Sequence, residues 1–279
     1  MTQSALAVEA SKDAGGENFP VGSVLLPKAL RPHVARFYRF AREADDIADA
    51  PNLPPDDKIS RLDAYGETLE TGHGAVPAAL GLRASLDETG VTQRHALDLL
   101  SAFKQDALKN RYADWAELMD YCNRSAAPVG RFLLDLHGED QAGYAASDAL
   151  CNALQVINHL QDCGKDFTEM DRVYLPQDWM AQHSAVLADL AAVQLSDAMR
   201  SVLDQCLVQT QRLLSLAGPL PKQCTSKRLG AESAVILALA QQLTAALGAR
   251  DPLAEKVVFS KPKMLRIGIA ALARYFLRL

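Results

Sequence analysis

Residues 37–49 read FYRFAREADDIAD, a stretch that crowds three aspartates into about one and a half helical turns. On a helix, Tyr38, Arg42, Asp45 and Asp49 follow i, i+4, i+7, i+11 spacing and therefore share one face. Carboxylates this close repel one another at neutral pH. A bound divalent cation explains the crowding better than a solvated helix end does.

A second polar stripe lies more than a hundred residues later, in NALQVINHLQDCGKDF at residues 152–167. Gln155, Asn158, Asp162 and Asp166 follow a 3-4-4 progression, which predicts one face of a helix. Amides and carboxylates on the inner face of a helix are costly to bury unless partners or a cation satisfy them. This stripe therefore faces either solvent or a polar cavity.

The two stripes together predict a magnesium site. Mg²⁺ takes a few carboxylates plus water and phosphate oxygens rather than a complete protein cage. Facing carboxylate pairs across a cavity would hold a cluster of magnesium ions around a diphosphate, and Arg42 would donate charge-assisted hydrogen bonds to that phosphate. A lone Asp-Asp-x-x-Asp is more often solvated surface, so the prediction depends on the second stripe. Asp46 lies off the first stripe, either behind it or facing solvent.

Composition narrows the class of protein. The 279 residues are 49% hydrophobic and 23% charged, as in globular proteins, and the net charge of −5 does not favour nucleic-acid binding. Five cysteines without a C-x-x-C pair argue against a disulfide framework and a structural zinc. The N-terminus has no basic start and no sustained apolar run, so we expect no signal peptide. The cysteines favour reduced, mostly buried thiols in a cytoplasmic protein. Gln241 and Gln242 interrupt the most apolar stretch, which favours a core helix over a membrane span.

Alanine and leucine recur at helical spacing, and no long alternating β-branched run appears. We therefore predict one all-α domain spanning 1–279, with residues 1–15 flexible. The predicted helices are 29–50, 55–70, 76–88, 92–110, 114–138, 142–166, 185–217, 226–248 and 263–278. Prolines after residue 50 end the first helix, and Asp114 with Glu117 has the form of a capping box.

Other catalytic motifs are missing from the sequence. It contains no G-x-x-x-x-G-K-[ST] phosphate loop, no G-x-G-x-x-G dinucleotide motif and no two Glu-x-x-His pairs for a di-iron centre. His159 neighbours the second stripe, and we expect a satisfied, partly buried histidine there rather than a catalytic one.

The two aspartate motifs resemble the squalene and phytoene synthase family from about residue 18 to residue 261. The residues that carry the resemblance are Asp45-Asp46-Ile-Ala-Asp49, Asp162-Cys-Gly-Lys-Asp166 and Arg172-Val-Tyr174-Leu-Pro176. The segments Gln105-Asp106, Arg111-Tyr112, Tyr121-Cys122 and Ala127-Pro-Val-Gly130 fit the same pattern.

The resemblance implies an all-α isoprenoid synthase bundle around a central cavity, where a magnesium cluster ionises a prenyl diphosphate. Five residues would then bind the metal: Asp45, Asp49, Asn158, Asp162 and Asp166. Tyr38, Arg42, Arg172 and Tyr174 would line the diphosphate end of the cavity. The remaining substrate contacts would be Phe19, Asn123, Gln155 and Gln161.

Departures from the family pattern narrow the expected reaction. Residues 16–20 replace a serine-lysine-serine-like segment, and Gln161 stands where an arginine is common. Loss of cationic phosphate ligands favours an enzyme that accepts one pre-joined diphosphate. Residues 18–21 and 125–131 most resemble the bacterial hydroxysqualene synthases of the hopanoid route. That branch implies conversion of presqualene diphosphate and water to hydroxysqualene and diphosphate without NADPH, with Asn123, Asn158 or Gln161 positioning the water.

Two alternatives stay open at this point. One is a sister reaction that starts from two farnesyl diphosphates, as in a presqualene diphosphate, squalene or dehydrosqualene synthase. The other is a non-catalytic prenyl-binding scaffold, which would have no need for four aligned carboxylates. Pathway enzymes are the expected protein partners in either case.

The C-terminal segment 260–279 is both basic and apolar. It predicts either a helix that closes the bundle with a solvated basic face or an interfacial helix that touches anionic lipid.

Overall fold

The computed structural model describes residues 26–277, and almost all of its regular structure is helical. The helices are α1 (Arg31–Asp49), α2 (Pro55–Thr71), α3 (Pro77–Thr89), α4 (Arg94–Asp106), α5 (Trp115–Ser125), α6 (Ala127–Leu136), α7 (Tyr144–Gln161), α8 (Cys163–Met170), α9 (Gln177–Gln182), α10 (Asp197–Ala217), α11 (Leu220–Gln223), α12 (Lys227–Ala249) and α13 (Lys261–Leu277). Two short strands, β1 (Arg111–Tyr112) and β2 (Val173–Pro176), pair in parallel. The predicted all-α class is confirmed. The expectations for Phe19 and for residues 1–15 lie outside the described residues.

The described chain forms two compact units. One contains the residues up to Lys109 together with Arg131–Gln141, and the other contains Asn110–Gly130 and the chain from Ala142 onward. Each unit has its own packed helices and carries one of the two aspartate motifs. The single-domain assignment stays a prediction.

Helix α1 is the centre of the first unit and packs on α2, α3 and α4. Phe37 stacks on Phe132 with ring centroids 4.0 Å apart, and Phe40 meets the edge of Tyr65. Phe40 and Ile47 are completely buried, and burying such a side chain contributes about 1.5–3 kcal/mol. This apolar face fixes the rotation of α1, and the rotation places the acidic stripe.

In the second unit, α7 packs on α5, α10 and α12. The start of α6 approaches α7 closely at Gly130, where a Cβ atom would lie 2.2 Å from Ser147 Oγ and 2.7 Å from Cys151 Sγ. A larger residue here would force the Ser147 and Cys151 side chains to move, because real Cβ atoms do not approach other atoms so closely. The position of α7, and with it the second stripe, depends on this approach.

Several predicted helix ends are confirmed. Asp114 Oδ1 accepts the backbone N–H of Glu117 at 2.8 Å, so Asp114 is the N-cap of α5 as predicted. Glu117 Oε2 accepts the N–H of Ala113 at 2.5 Å rather than that of Asp114, so the second hydrogen bond of the predicted capping box is displaced by one residue. The predicted helix 114–138 is broken at Ala126, whose φ and ψ are −124° and −48°.

Two other predicted helices are also wrong in their extent. The helix expected at 142–166 bends at Asp162 and continues as α8 to Met170. The helix expected at 185–217 begins as a 3₁₀ turn at Leu187–Ala191, and α10 starts only at Asp197, where Ser196 caps it.

Helix α12 is the one helix among the described residues that is long and apolar enough to cross a membrane. However, 56% of its most apolar window is buried within the protein. Leu239, Ala240 and Leu243 belong to this buried face. Helix α12 therefore packs as core helices of globular proteins do.

Candidate active site

In the first unit, Arg42 joins two of the three aspartates of the first motif. Its guanidinium donates to Asp45 Oδ2 at 3.0 Å and to Asp46 Oδ1 at 2.5 Å. The Arg42 side chain is only 15% exposed, and Asp46 is buried. Asp46 therefore lies behind the first stripe, beside Arg42, and does not face solvent.

Asp45 has a strongly altered affinity for protons. Burial raises its pKa from 3.8 to about 8, and repulsion from Asp49, Asp106 and Asp46 acts in the same direction, while Arg42 opposes the shift. The side chain nevertheless remains 34% exposed, so an ion from solvent can reach it. Burial and the neighbouring carboxylates therefore make this carboxyl easier to protonate than an ordinary aspartate unless further positive charge arrives. A hard divalent cation would supply that charge, so the residues present fit Mg²⁺.

Asp106 was missing from the residues that sequence analysis assigned to the site. It is the last residue of α4, it is buried, and its charge acts on Asp45 although about sixty residues separate the two along the chain. The Gln105-Asp106 pair was noted only as part of the family pattern. A carboxylate at the end of an otherwise apolar helix face was the signal that could have identified it.

Asp49 and Tyr38 complete the first stripe on α1. Both side chains are half-buried, and Asp49 is close enough to Asp45 to raise its pKa. The first unit therefore provides the four predicted residues on one helix face, with Asp106 added from α4.

In the second unit, the residues of the second stripe keep their helical spacing through the bend at Asp162. The Asp162 N–H donates to the Asn158 carbonyl at 3.0 Å, and the Asp166 N–H donates to the Asp162 carbonyl at 2.8 Å. Because these i to i−4 hydrogen bonds persist through the bend, the spacing of the stripe survives. Gln155, Asn158, Asp162 and Asp166 are all half-buried.

Arg172 and Tyr174 lie at the strand that follows α8. Both are buried, and the neighbouring Val173 N–H donates to the Asn110 carbonyl at 2.9 Å, which joins β2 to β1. The Tyr174 ring stacks on His159 at 3.5 Å. Burial, together with the charge of Arg172, lowers the pKa of His159 to about 3. The imidazole is therefore neutral at physiological pH. It is buried rather than partly buried, and its Nε2 has no hydrogen-bond partner among the described residues, so the expectation of a satisfied histidine is wrong.

Three tyrosines form a buried cluster in the second unit that sequence analysis did not predict. The ring centroids of Tyr112, Tyr121 and Tyr174 lie 5.4–5.6 Å apart in every pairing. Tyr112 comes from β1 and Tyr121 from α5, so the cluster packs three elements together next to His159 on α7. This packing fixes the end of α7 that carries Asn158 and Asp162.

The two remaining polar candidates differ in their surroundings. Asn123 is exposed and accepts a hydrogen bond from Asn152 Nδ2 at 2.7 Å. Gln161 is buried, and its Nε2 donates to the Val257 carbonyl at 2.5 Å. The side chain of Asn123 is the more accessible of the two to a bound water.

Within residues 26–277, no three His, Cys, Asp or Glu side chains converge as a ready-made metal site.

Comparison with known proteins identifies the family. The sequence profile of the squalene/phytoene synthase family matches residues 12–263. The chain belongs to this family.

Among similar proteins, the hydroxysqualene synthase of Sinorhizobium fredii is 45% identical, over 92% of this chain and 88% of the relative. The hydroxysqualene synthase of Zymomonas mobilis is 42% identical, over 98% and 93%. The presqualene diphosphate synthase of the same Sinorhizobium strain is 27% identical, over 69% and 67%. Among solved structures, squalene synthase HpnC from Alicyclobacillus acidocaldarius is 32% identical with a TM-score of 0.75, over 84% of this chain and 89% of that one.

Proposed function

We propose that this protein is a hydroxysqualene synthase, which converts presqualene diphosphate and water to hydroxysqualene and diphosphate. One observation carries the assignment. The chain is 45% identical to the hydroxysqualene synthase of Sinorhizobium fredii but only 27% identical to the presqualene diphosphate synthase of the same strain. The protein is an enzyme that acts on prenyl diphosphates, in the synthesis of squalene and hopanoids.

The reaction needs no reductant. The C–O bond of presqualene diphosphate breaks, and its electron pair leaves with the diphosphate. The resulting cyclopropylcarbinyl cation rearranges to an open C30 cation. A water oxygen then bonds to this cation and loses a proton, which gives the alcohol. Because no hydride is consumed, NADPH is not expected as a cofactor.

We assign the metal to both aspartate motifs. In the first unit, Asp45 and Asp49 would hold Mg²⁺, and in the second unit Asn158, Asp162 and Asp166 would do so. When held by these residues, Mg²⁺ would stabilise the negative charge that develops on the departing diphosphate.

Within the first unit, Arg42 positions the carboxylates of the first motif through its two hydrogen bonds. Tyr38, Arg42, Arg172 and Tyr174 are proposed to contact the diphosphate, where cationic and hydroxyl donors bind phosphate oxygens. Asn123, Asn158 or Gln161 would orient the water, and Gln155 would contact the substrate.

The sister synthases are the principal rival, and a substrate comparison separates them. Purified protein with Mg²⁺ is incubated with presqualene diphosphate in one arm and with farnesyl diphosphate in another, each with and without NADPH. We expect a C30 alcohol from presqualene diphosphate only, unaffected by NADPH. Presqualene diphosphate or a C30 hydrocarbon made from farnesyl diphosphate would instead establish a sister reaction. Tight prenyl binding with no product in either arm would establish the scaffold.

We also propose that the enzyme is cytoplasmic, works beside other enzymes of its pathway and contacts a membrane peripherally. Its substrate and product are long hydrocarbons that partition into bilayers, so a surface position would shorten their transfer.

A further inference from the structure

Helix α13 presents its large apolar side chains to solvent. Leu265, Ile269 and Phe276 are 64%, 58% and 63% exposed, and their spacing of four and seven residues places them on one face. The buried residues of the helix are Gly268 and Ala271 instead. Helix α13 therefore packs on α12 with Gly268 and Ala271 buried and Met264, Ile267 and Tyr275 half-buried, and it leaves the apolar stripe outside. A contiguous exposed apolar surface of this kind marks an interaction site.

The arc beside the stripe is basic. Lys263, Arg266 and Arg274 lie on it, and α13 contains no acidic residue although the whole chain has a net charge of −5. None of these three side chains forms an ion pair with any described residue. The positive charge of this arc is thus not neutralised by the part of the protein that the structure describes.

The same three basic side chains line a groove between α13 and α12. Its volume is about 360 Å³, and Gln241 and Gln242 supply amide groups from the α12 side. Ala238, Ile267 and Ala270 make up the rest of its lining. A groove lined by cationic, amide and aliphatic side chains matches a phosphate headgroup joined to acyl chains.

We infer that α13 docks the enzyme on anionic lipid: the apolar stripe inserts among the acyl chains, and the basic arc and groove bind headgroup phosphates. An amphipathic helix with apolar and basic faces side by side is the arrangement that lies in a bilayer interface. The charge complementarity selects anionic lipid over an uncharged protein surface. This inference identifies α13 as the element that makes the proposed membrane contact. It rests on the proposed function only for the reason that docking would help, namely a hydrocarbon substrate and product.

The test is flotation of the full chain with vesicles of phosphatidylcholine alone or with 30% phosphatidylglycerol added. We expect binding to the anionic vesicles, lost as salt is raised to about 0.5 M because ionic strength screens the attraction. The double variant Arg266→Gln/Arg274→Gln should weaken binding about 30-fold. Each basic residue near an anionic surface contributes about 1 kcal/mol of binding free energy, and the variant removes two of them. Leu265→Gln/Ile269→Gln should weaken it at least tenfold.

Matched controls change the same residue types at other exposed places. Arg36→Gln/Arg212→Gln and Val193→Gln/Leu216→Gln should retain binding. The inference is overturned if anionic vesicles do not bind the enzyme, or if the α13 and control variants bind equally. It is also overturned if Leu265→Gln/Ile269→Gln converts a dimer to a monomer, because the stripe is then a contact between copies.

A separate readout distinguishes this inference from the proposed reaction. Turnover of presqualene diphosphate in detergent micelles should be the same for wild type and for the α13 variants, since α13 carries none of the proposed site residues. Lost docking with intact micellar turnover supports the inference. Intact docking without turnover would contradict the proposed reaction but would not contradict the docking of α13 on lipid.

Discussion

Asp45→Asn should stabilise the metal-free protein at pH 8 while it damages the proposed site. The pKa of Asp45 rises from 3.8 to about 8 on folding. Between these two pH values, the native state therefore keeps a proton that the unfolded state has released. The native state then binds more protons, and the free energy of unfolding falls as the pH rises from about 4 to about 8. Asparagine carries no charge to repel Asp49 or Asp106, and its Oδ1 can still accept from Arg42.

The magnitude follows from the size of the shift. About four pKa units at 1.36 kcal/mol each set a ceiling of about 6 kcal/mol. Water reaches a third of the Asp45 side chain and screens the repulsion, which leaves about 2 kcal/mol at pH 8. The difference from wild type should be smaller, below about 1 kcal/mol, at pH 5, because that pH lies only about one unit above the unfolded pKa of 3.8 and most of the proton-linked cost accumulates between pH 5 and pH 8.

Urea denaturation in EDTA at pH 5 and pH 8, monitored by circular dichroism, measures the difference in free energy of unfolding between the variant and wild type at each pH. Asp87→Asn is the matched control, because Asp87 is 70% exposed and lies 3.8 Å from Arg83. Its substitution should change the free energy of unfolding by less than about 0.5 kcal/mol at either pH. An Asp45→Asn protein that is as stable as wild type, or less stable, at pH 8 would refute the proposed electrostatic strain in this cluster.

The other predictions concern the second unit and the packing. Asp162→Ala should lower turnover of presqualene diphosphate at least about 100-fold with an unchanged circular dichroism spectrum, and near-normal turnover would remove Asp162 from the proposed ligands. Gly130→Ala should lower the free energy of unfolding by about 1–3 kcal/mol, because the new methyl group meets a serine oxygen at 2.2 Å, whereas Gly81→Ala, with open space around it, should be neutral or stabilising. Burial raises the pKa of Cys163 to about 12 and also raises that of Cys206, so neither thiol should react with maleimide at pH 7.5 before urea is added. Rapid labelling of either thiol in the native protein, read by mass spectrometry, would contradict its burial.

The sequence predicted those features that depend on local chemistry. The N-cap at Asp114 and the proline-limited end of α1 need only neighbouring residues, and both appear in the structure. The face shared by Asp45 and Asp49 follows from helical spacing alone. The bend at Asp162 was missed because the polar spacing is the same with or without it.

Features that depend on tertiary packing could not be predicted in the same way. Asp106 acts on Asp45 only because α4 packs on α1, a contact that no local pattern encodes. Likewise, β1 and β2 span two and four residues, too few for alternation to show, and β2 is buried throughout. The hydrogen bond from Gln161 to the Val257 carbonyl joins residues about a hundred positions apart, so no local pattern predicts it.

The most direct test of the proposed reaction is the origin of the oxygen in the product. Purified enzyme, Mg²⁺ and presqualene diphosphate are combined in ¹⁸O-labelled water without NADPH, and the C30 product is identified by mass spectrometry. We predict an alcohol that carries one ¹⁸O atom per molecule. An unlabelled alcohol, or a hydrocarbon without oxygen, would contradict capture of water by the cation and with it the assignment as a hydroxysqualene synthase.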